Sequence, residues 1–130
     1  MTIKEVSEKY NISADTLRYY ERIGMIPAVG RTAGGIRDYQ LQDLGWVELA
    51  ICMRSAGLPI EAMKEYVKLS QKGDSSIPER LQLLQEQLEI LREQQKNTEA
   101  TIKRLEYKIS IYEDAAKTGK LMWDANEKKK

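Results

Sequence analysis

Apolar residues recur along this chain at steps of three and four, broken by one glycine-bearing interval, and that rhythm predicts a largely helical protein. Ile3 and Val6, with Tyr10 at the end, mark a first short helix opened by a capping box between Thr2 and Glu5. Asn11 tolerates left-handed backbone, so Tyr10-Asn11-Ile12 reads as a tight turn. Ser13 then suits an N-cap, Gly24 the left-handed position after a last turn, and Pro27 lies shortly beyond. Between them Leu17, Tyr20 and Ile23 fall three apart and share one buried face, while Thr16, Arg18, Tyr19 and Arg22 project from the rest of the cylinder. Two short helices joined by such a turn form a helix-turn-helix, with the second as the recognition helix. Arginine can pair with phosphate or guanine, and the hydroxyls of threonine and tyrosine can bond phosphate oxygens. A surface helix with merely solvated arginines fits the same segment.

Residues 28–39 change character. Ala28-Val29-Gly30-Arg31 and Gly35-Ile36-Arg37-Asp38-Tyr39 flank Thr32-Ala33-Gly34, which predicts a small two-stranded ribbon, or wing, with Arg31 and Arg37 at phosphate height. A glycine loop without strands is the alternative. The helical period returns from Gln40 to Ala56 through Leu44, Val47, Ile51 and Cys52, closed by Gly57. Pro59 opens a further helix to about Lys72 through Ile60, Met63 and Val67. Gly73-Asp74-Ser75 is the break, and Ser76-Ile-Pro-Glu79 reads as a second capping box.

The longest element follows. Leu81, Leu84, Leu88, Leu91, Gln95, Thr98, Ile102, Leu105, Ile109 and Tyr112 alternate by steps of three and four, the seam of a coiled coil. A lone helix cannot bury such a seam, so a second copy of the chain is implied. Folding back onto the N-terminal domain is the alternative. The fold class is therefore dominated by α-helix: residues 1–74 form a winged helix-turn-helix DNA-binding domain, 75–119 a dimerisation helix and 120–130 a flexible tail. Trp123 either docks on the partner chain or is loosely exposed.

Composition and charge narrow the picture only in places. Hydrophobic residues make up 42% and charged residues 32%, which suits a soluble helical protein. Net charge is +1, so bulk charge announces no nucleic-acid partner. Locally, residues 16–37 carry Arg18, Arg22, Arg31 and Arg37 against Glu21, and 4 − 1 gives +3. No secretory leader or membrane span is legible, and a bacterial cytoplasmic protein associated with the nucleoid is expected. With one cysteine and no histidine, an internal disulfide is excluded and neither a metal site nor a cofactor is expected. No nucleophile–base spacing or phosphate loop points to an enzyme.

Thr16-Leu-Arg-Tyr-Tyr-Glu21, Gly24-Met-Ile-Pro27, Arg37-Asp-Tyr39 and Met53-Arg-Ser-Ala-Gly-Leu58 occur in that order, and the chain closely resembles the MerR family of bacterial transcription regulators. The resemblance implies a winged helix-turn-helix homodimer, joined by an antiparallel coiled coil, on a pseudo-palindromic double-stranded promoter. Such regulators distort DNA so that RNA polymerase can use a poorly spaced promoter, which makes polymerase an indirect partner. Matched by position, Thr16, Arg18 and Tyr19 correspond to recognition-helix contacts, Arg31 and Arg37 to the wing, and Tyr39 and Arg54 to backbone contacts near it.

The metal-sensing branches of that family carry cysteines around the dimerisation helix, absent here from residues 73–79 and 113–130. The multidrug branches carry an added effector domain, for which the residues after Gly119 leave no room. Cys52 resembles the single cysteine of the thiol-based, aldehyde-responsive branch, where a thiolate would meet carbonyl electrophiles or oxidants. Arg54 projects about 200° around the helix from it, at about 100° per residue, and is no obvious activator. Two other readings remain beside sensing through Cys52: a regulator of unknown or small-molecule effector with a purely structural cysteine, and a coiled-coil adaptor without a DNA role.

Overall fold

The first two helices are punctuated by side chains as their sequence predicts. In a computed structural model, which describes residues 1–122, the Thr2 hydroxyl accepts from the Glu5 N–H at 3.1 Å while the Glu5 carboxylate accepts from the Thr2 N–H at 2.9 Å. This capping box opens helix α1, Ile3–Tyr10. Asn11 ends α1 in left-handed backbone at φ 52°. Ser13 caps α2, Ala14–Ile23, and Gly24 closes it at φ 82°, a conformation that costs a residue with a Cβ more than it costs glycine. Three further helices follow: α3 (Leu41–Ser55), α4 (Ile60–Gln71) and α5 (Ile77–Thr118), with a short 3₁₀ turn at Asp74–Ser76 before the last. The mainly helical architecture with a long C-terminal helix agrees with the periodicity. Residues 123–130 of the expected tail, Trp123 among them, lie outside the described residues.

The chain divides into two compact units, Met1–Glu89 and the chain from Ile90 onward. In the first, Val6 of α1, Leu17 and Tyr20 of α2, and Met25, Ile26 and Val29 of the following segment are buried. They share the core with Tyr39, with Leu44, Val47, Ala50 and Met53 of α3, with Leu58, and with Met63, Val67 and Leu69 of α4. Each buried Val, Leu, Ile or Met side chain contributes roughly 1.5–3 kcal/mol by leaving water, which is what holds helices this short in place.

The expected two-stranded wing is reduced to less than a ribbon. A single antiparallel bridge joins Arg31 and Arg37, flanked by the bonds Thr32 N–H to Ile36 O (2.7 Å) and Asp38 N–H to Gly30 O (2.8 Å). Gly35 at φ 81° closes a three-residue loop, with its N–H bonded to Thr32 O at 2.9 Å. Arms this short, with no other strand among the described residues, supply too few ladder bonds to extend a sheet.

The buried face of α3 also departs from the expected one. Ala50 and Met53 enter the core, Ile51 is half-buried and Cys52 is exposed. Residues 49–53 are apolar without a break, so periodicity could not choose among them. Cys52 lies nine residues after the buried Asp43, and at about 3.6 residues per turn it emerges on the opposite side of the helix. A cysteine filling a small apolar space in this chain is thereby excluded.

Ser76 does not play the capping part expected of it. It is buried, its hydroxyl lies against the carbonyl oxygens of Leu69 and Gly73, and it accepts from Arg80 Nε at 3.1 Å. The hydroxyl thus ties the end of α4 to the first turn of α5. Along α5 no residue is buried. In the first unit Leu81, Leu84 and Leu88 of the apolar seam are exposed, and in the second Ile102, Leu105, Ile109 and Tyr112 are exposed.

Candidate nucleic-acid interface

The face that could meet DNA is built outward from the buried side of α2. Leu17 is fully buried and Tyr20 nearly so, which turns Arg18 and Tyr19 to solvent and leaves Thr16 half-exposed. Ser13 Oγ accepts from the Thr16 N–H at 3.0 Å, and the two hydroxyls sit 2.7 Å apart, so the cap also fixes the Thr16 side chain. Arg18 Nη1 donates to Asp15 Oδ1 at 2.9 Å. The Arg22 guanidinium stands 5.3 Å from the centre of the Tyr19 ring, within cation–π range. The first turns of α2 therefore present hydroxyl, guanidinium and phenol groups with restricted rotamers.

The two wing arginines, opposite each other across the bridge, differ in exposure. Arg31 is exposed, with Nη1 donating to Gly35 O at 3.0 Å across the hairpin. Arg37 is drawn inward: its Nε donates to Glu21 Oε1 at 2.7 Å, with only 21% of its side chain exposed. The other Glu21 oxygen accepts from the Val29 N–H at 3.2 Å. Of the four arginines behind the local positive charge, Arg18 and Arg37 are thus in ion pairs, and Arg22 and Arg31 form none among the described residues.

Tyr39, matched by the resemblance to a contact with the DNA backbone, lies in the core of the chain without DNA. It is 2% exposed, and its hydroxyl is buried without a hydrogen-bond partner among the described residues. Burial first, and then the Glu21 carboxylate, hold its phenol above the ordinary value. Its ring packs in the core, and its backbone N–H bonds Met1 O at 2.8 Å. The side chain therefore anchors the wing base. Arg54 is exposed, but its Nη1 donates to Leu58 O at 2.7 Å and secures the turn after α3.

Three residues that the sequence reading left unassigned now have roles. Glu21 clamps the wing base, Asp15 orients Arg18, and Asp43 accepts from the Gln40 N–H at 2.8 Å to open α3. The Gln40-x-x-Asp43 spacing carried a capping signal. For Glu21 and Asp15 only tertiary and rotamer detail could reveal the partner. Among the described residues no group of three or more His, Cys, Asp or Glu is placed to hold a metal ion, and no helix is long and apolar enough to cross a membrane.

Comparison with known proteins agrees with this architecture. The model of the MerR family regulatory protein matches residues 2–39, and that described as MerR, DNA binding matches residues 44–107. The HTH-type transcriptional regulator AdhR of Bacillus subtilis is 48% identical over 65% of this chain, a match that spans 60% of AdhR itself. A transcriptional regulator assigned to the MerR family from Listeria monocytogenes superimposes with a TM-score of 0.84, at 41% identity over 87% of this chain and 86% of its own. HiNmlR, a MerR family regulator lacking the sensor domain and solved on promoter DNA, also gives 0.84, at 34% identity over 91% of this chain and 94% of its own. Helix-turn-helix, hairpin, supporting helices and long terminal helix, together with these likenesses, place the chain in the MerR family of DNA-binding transcriptional regulators.

Proposed function

We propose that the protein acts as a homodimer on double-stranded promoter DNA, reading it through α2 and the hairpin and distorting it so that RNA polymerase can use the promoter. The observation that carries this reading is the division of α2 into a buried side of Leu17 and Tyr20 and an outward side of Thr16, Arg18 and Tyr19. HiNmlR, whose structure holds promoter DNA, supports it. Residues 1–74 would bind DNA and 75–119 would pair two chains. The unburied α5 seam supports pairing, since Leu105, Ile109, Tyr112 and Ala116 form an apolar face that a second copy would cover. Arg31 remains a phosphate ligand in this reading, and the protein works in the bacterial cytoplasm.

The inducer we infer is a carbonyl electrophile, with Cys52 as its target. Exposure of the thiol and likeness to AdhR support this. The Cys52 thiol would lose its proton and its sulfur would add to the carbonyl carbon, forming a C–S bond as the carbonyl π bond opens, and the oxygen would take up that proton to become a hydroxyl. The adduct enlarges a side chain on α3, between the wing and α4.

The test combines gel shift and in vitro transcription on the protein's own upstream region with sedimentation of the free protein. Reduced wild type and Cys52→Ser would be treated with formaldehyde or methylglyoxal, and intact mass read in the same samples. A dimer that shifts the duplex, with an adduct confined to Cys52 that tracks transcription, is the expected result. Full induction of Cys52→Ser by aldehyde would remove the sensing step while leaving DNA binding intact.

A further inference from the structure

We propose that Glu21 is the positioning residue of the DNA-reading surface: it sets the hairpin on α2, and Arg37 is its structural partner rather than a phosphate ligand. This rests on the reading that α2 and the hairpin bind DNA together. One carboxylate holds both arms of the hairpin. Oε2 accepts the Val29 N–H at 3.2 Å at the entry, and Oε1 accepts Arg37 Nε at 2.7 Å at the exit. Glu21 is 13% exposed and Arg37 21%, so the pair is largely withdrawn from water and its charge-assisted bond is little screened.

The hairpin needs an external hold. Its own backbone contributes one bridge and a few bonds, too little to fix an isolated pair of strands. Glu21 lies three residues beyond Arg18, about one helical turn away, so the carboxylate that fixes the hairpin shares a rigid helix with the recognition residues. Arg31, on the exposed part of the hairpin, is thereby held at a defined place relative to Thr16, Arg18 and Tyr19. Arg37 could meet phosphate through Nε only by leaving Glu21, and that would strand a half-buried carboxylate.

The two roles for Arg37 differ in salt dependence. A side chain that neutralises one phosphate adds about −0.9 to the slope of log K against log salt, and a positioning residue adds none. Wild type would first select its duplex from a random pool. Affinity would then be measured across a KCl series for wild type, Glu21→Ala, Glu21→Gln, Arg37→Gln and Arg31→Gln. Amide hydrogen exchange of the free proteins would be read over residues 29–38 and across α2. Alanine is the better helix former, so Glu21→Ala retains α2, and Arg37→Gln reaches the same pair without touching that helix.

Glu21→Ala and Arg37→Gln should each weaken binding about tenfold with the salt slope unchanged. Both should speed exchange at the amides of Thr32 and Asp38 while Leu17 stays protected, and Glu21→Gln should fall between them and wild type. Arg31→Gln should instead make the slope shallower by about one. A shallower slope for Arg37→Gln, or unchanged exchange over the hairpin in both variants, would overturn the proposal. Failure of wild type to select any duplex would count against DNA reading itself, while the exchange data would still decide whether Glu21 holds the hairpin.

Discussion

Tyr10, the last residue of α1, donates a 2.6 Å hydrogen bond to Glu48 Oε1 in the middle of α3, across 38 residues of sequence. The bond joins the helix-turn-helix to the helix beneath it. Burial first, then the bond and the charge of Glu48, push the Tyr10 phenol up to about 12 from its ordinary value of 10.0. A raised value means that the folded state favours the protonated phenol. The stabilisation is therefore complete below pH 10 and disappears as pH rises through about 12. Tyr10→Phe should lose about 1 kcal/mol at neutral pH, and its deficit should vanish between those limits. Urea unfolding of both proteins across that range measures the difference, and Tyr39, present in both, cancels.

Adjacent residues on α3 should respond in opposite ways. Met53 is 6% exposed and Met53→Ala should cost about 2–5 kcal/mol. Cys52→Ala touches no core and should stay within about 0.5 kcal/mol. The Cys52 thiol should also react with an aromatic disulfide reagent in native protein as readily as in urea. Slow native labelling would show that a second chain covers it.

Ser76→Ala should loosen the junction of α4 and α5. The substitution removes the single hydroxyl proton that lies between the Leu69 and Gly73 carbonyl oxygens, which keep the Lys72 and Ser76 N–H groups as donors, and it removes the acceptor of Arg80 Nε, at a cost of about 1 kcal/mol. Faster amide exchange in the first turns of α5 than across α2 would locate the effect, and uniform destabilisation would contradict it.

Ser13→Ala removes the α2 N-cap and frees the Thr16 hydroxyl. About 1 kcal/mol of stability should be lost. Binding to the selected duplex should weaken even at temperatures where the variant is fully folded, because Thr16 is no longer held in one rotamer. Anisotropy titration below the unfolding transition tests this.

Local chemistry wrote the helix boundaries into the sequence. The Thr2–Glu5 box, Asn11, Ser13 and Gly24 each act within a few residues, through hydroxyl or carboxylate reach or through tolerance of positive φ, and all took the expected places. Helical spacing alone pointed to Leu17, Tyr20 and Ile23 as one inward face. Leu17 and Tyr20 are buried, Ile23 at the helix end is only half-buried, and Thr16, Arg18 and Tyr19 lie on the outward side. Other features depended on what packs against what. Over the unbroken apolar run at 49–53, only the placement of α3 against its neighbours could bury Met53 and expose Cys52. Arg37 and Tyr39 look like solvent-facing wing residues in one dimension. A carboxylate 16 residues earlier draws Arg37 inward, and the core takes the Tyr39 ring. Periodicity and capping are set by neighbours in sequence, whereas the partner of a charge or a ring is set by tertiary proximity, and that is where the structure alone decided.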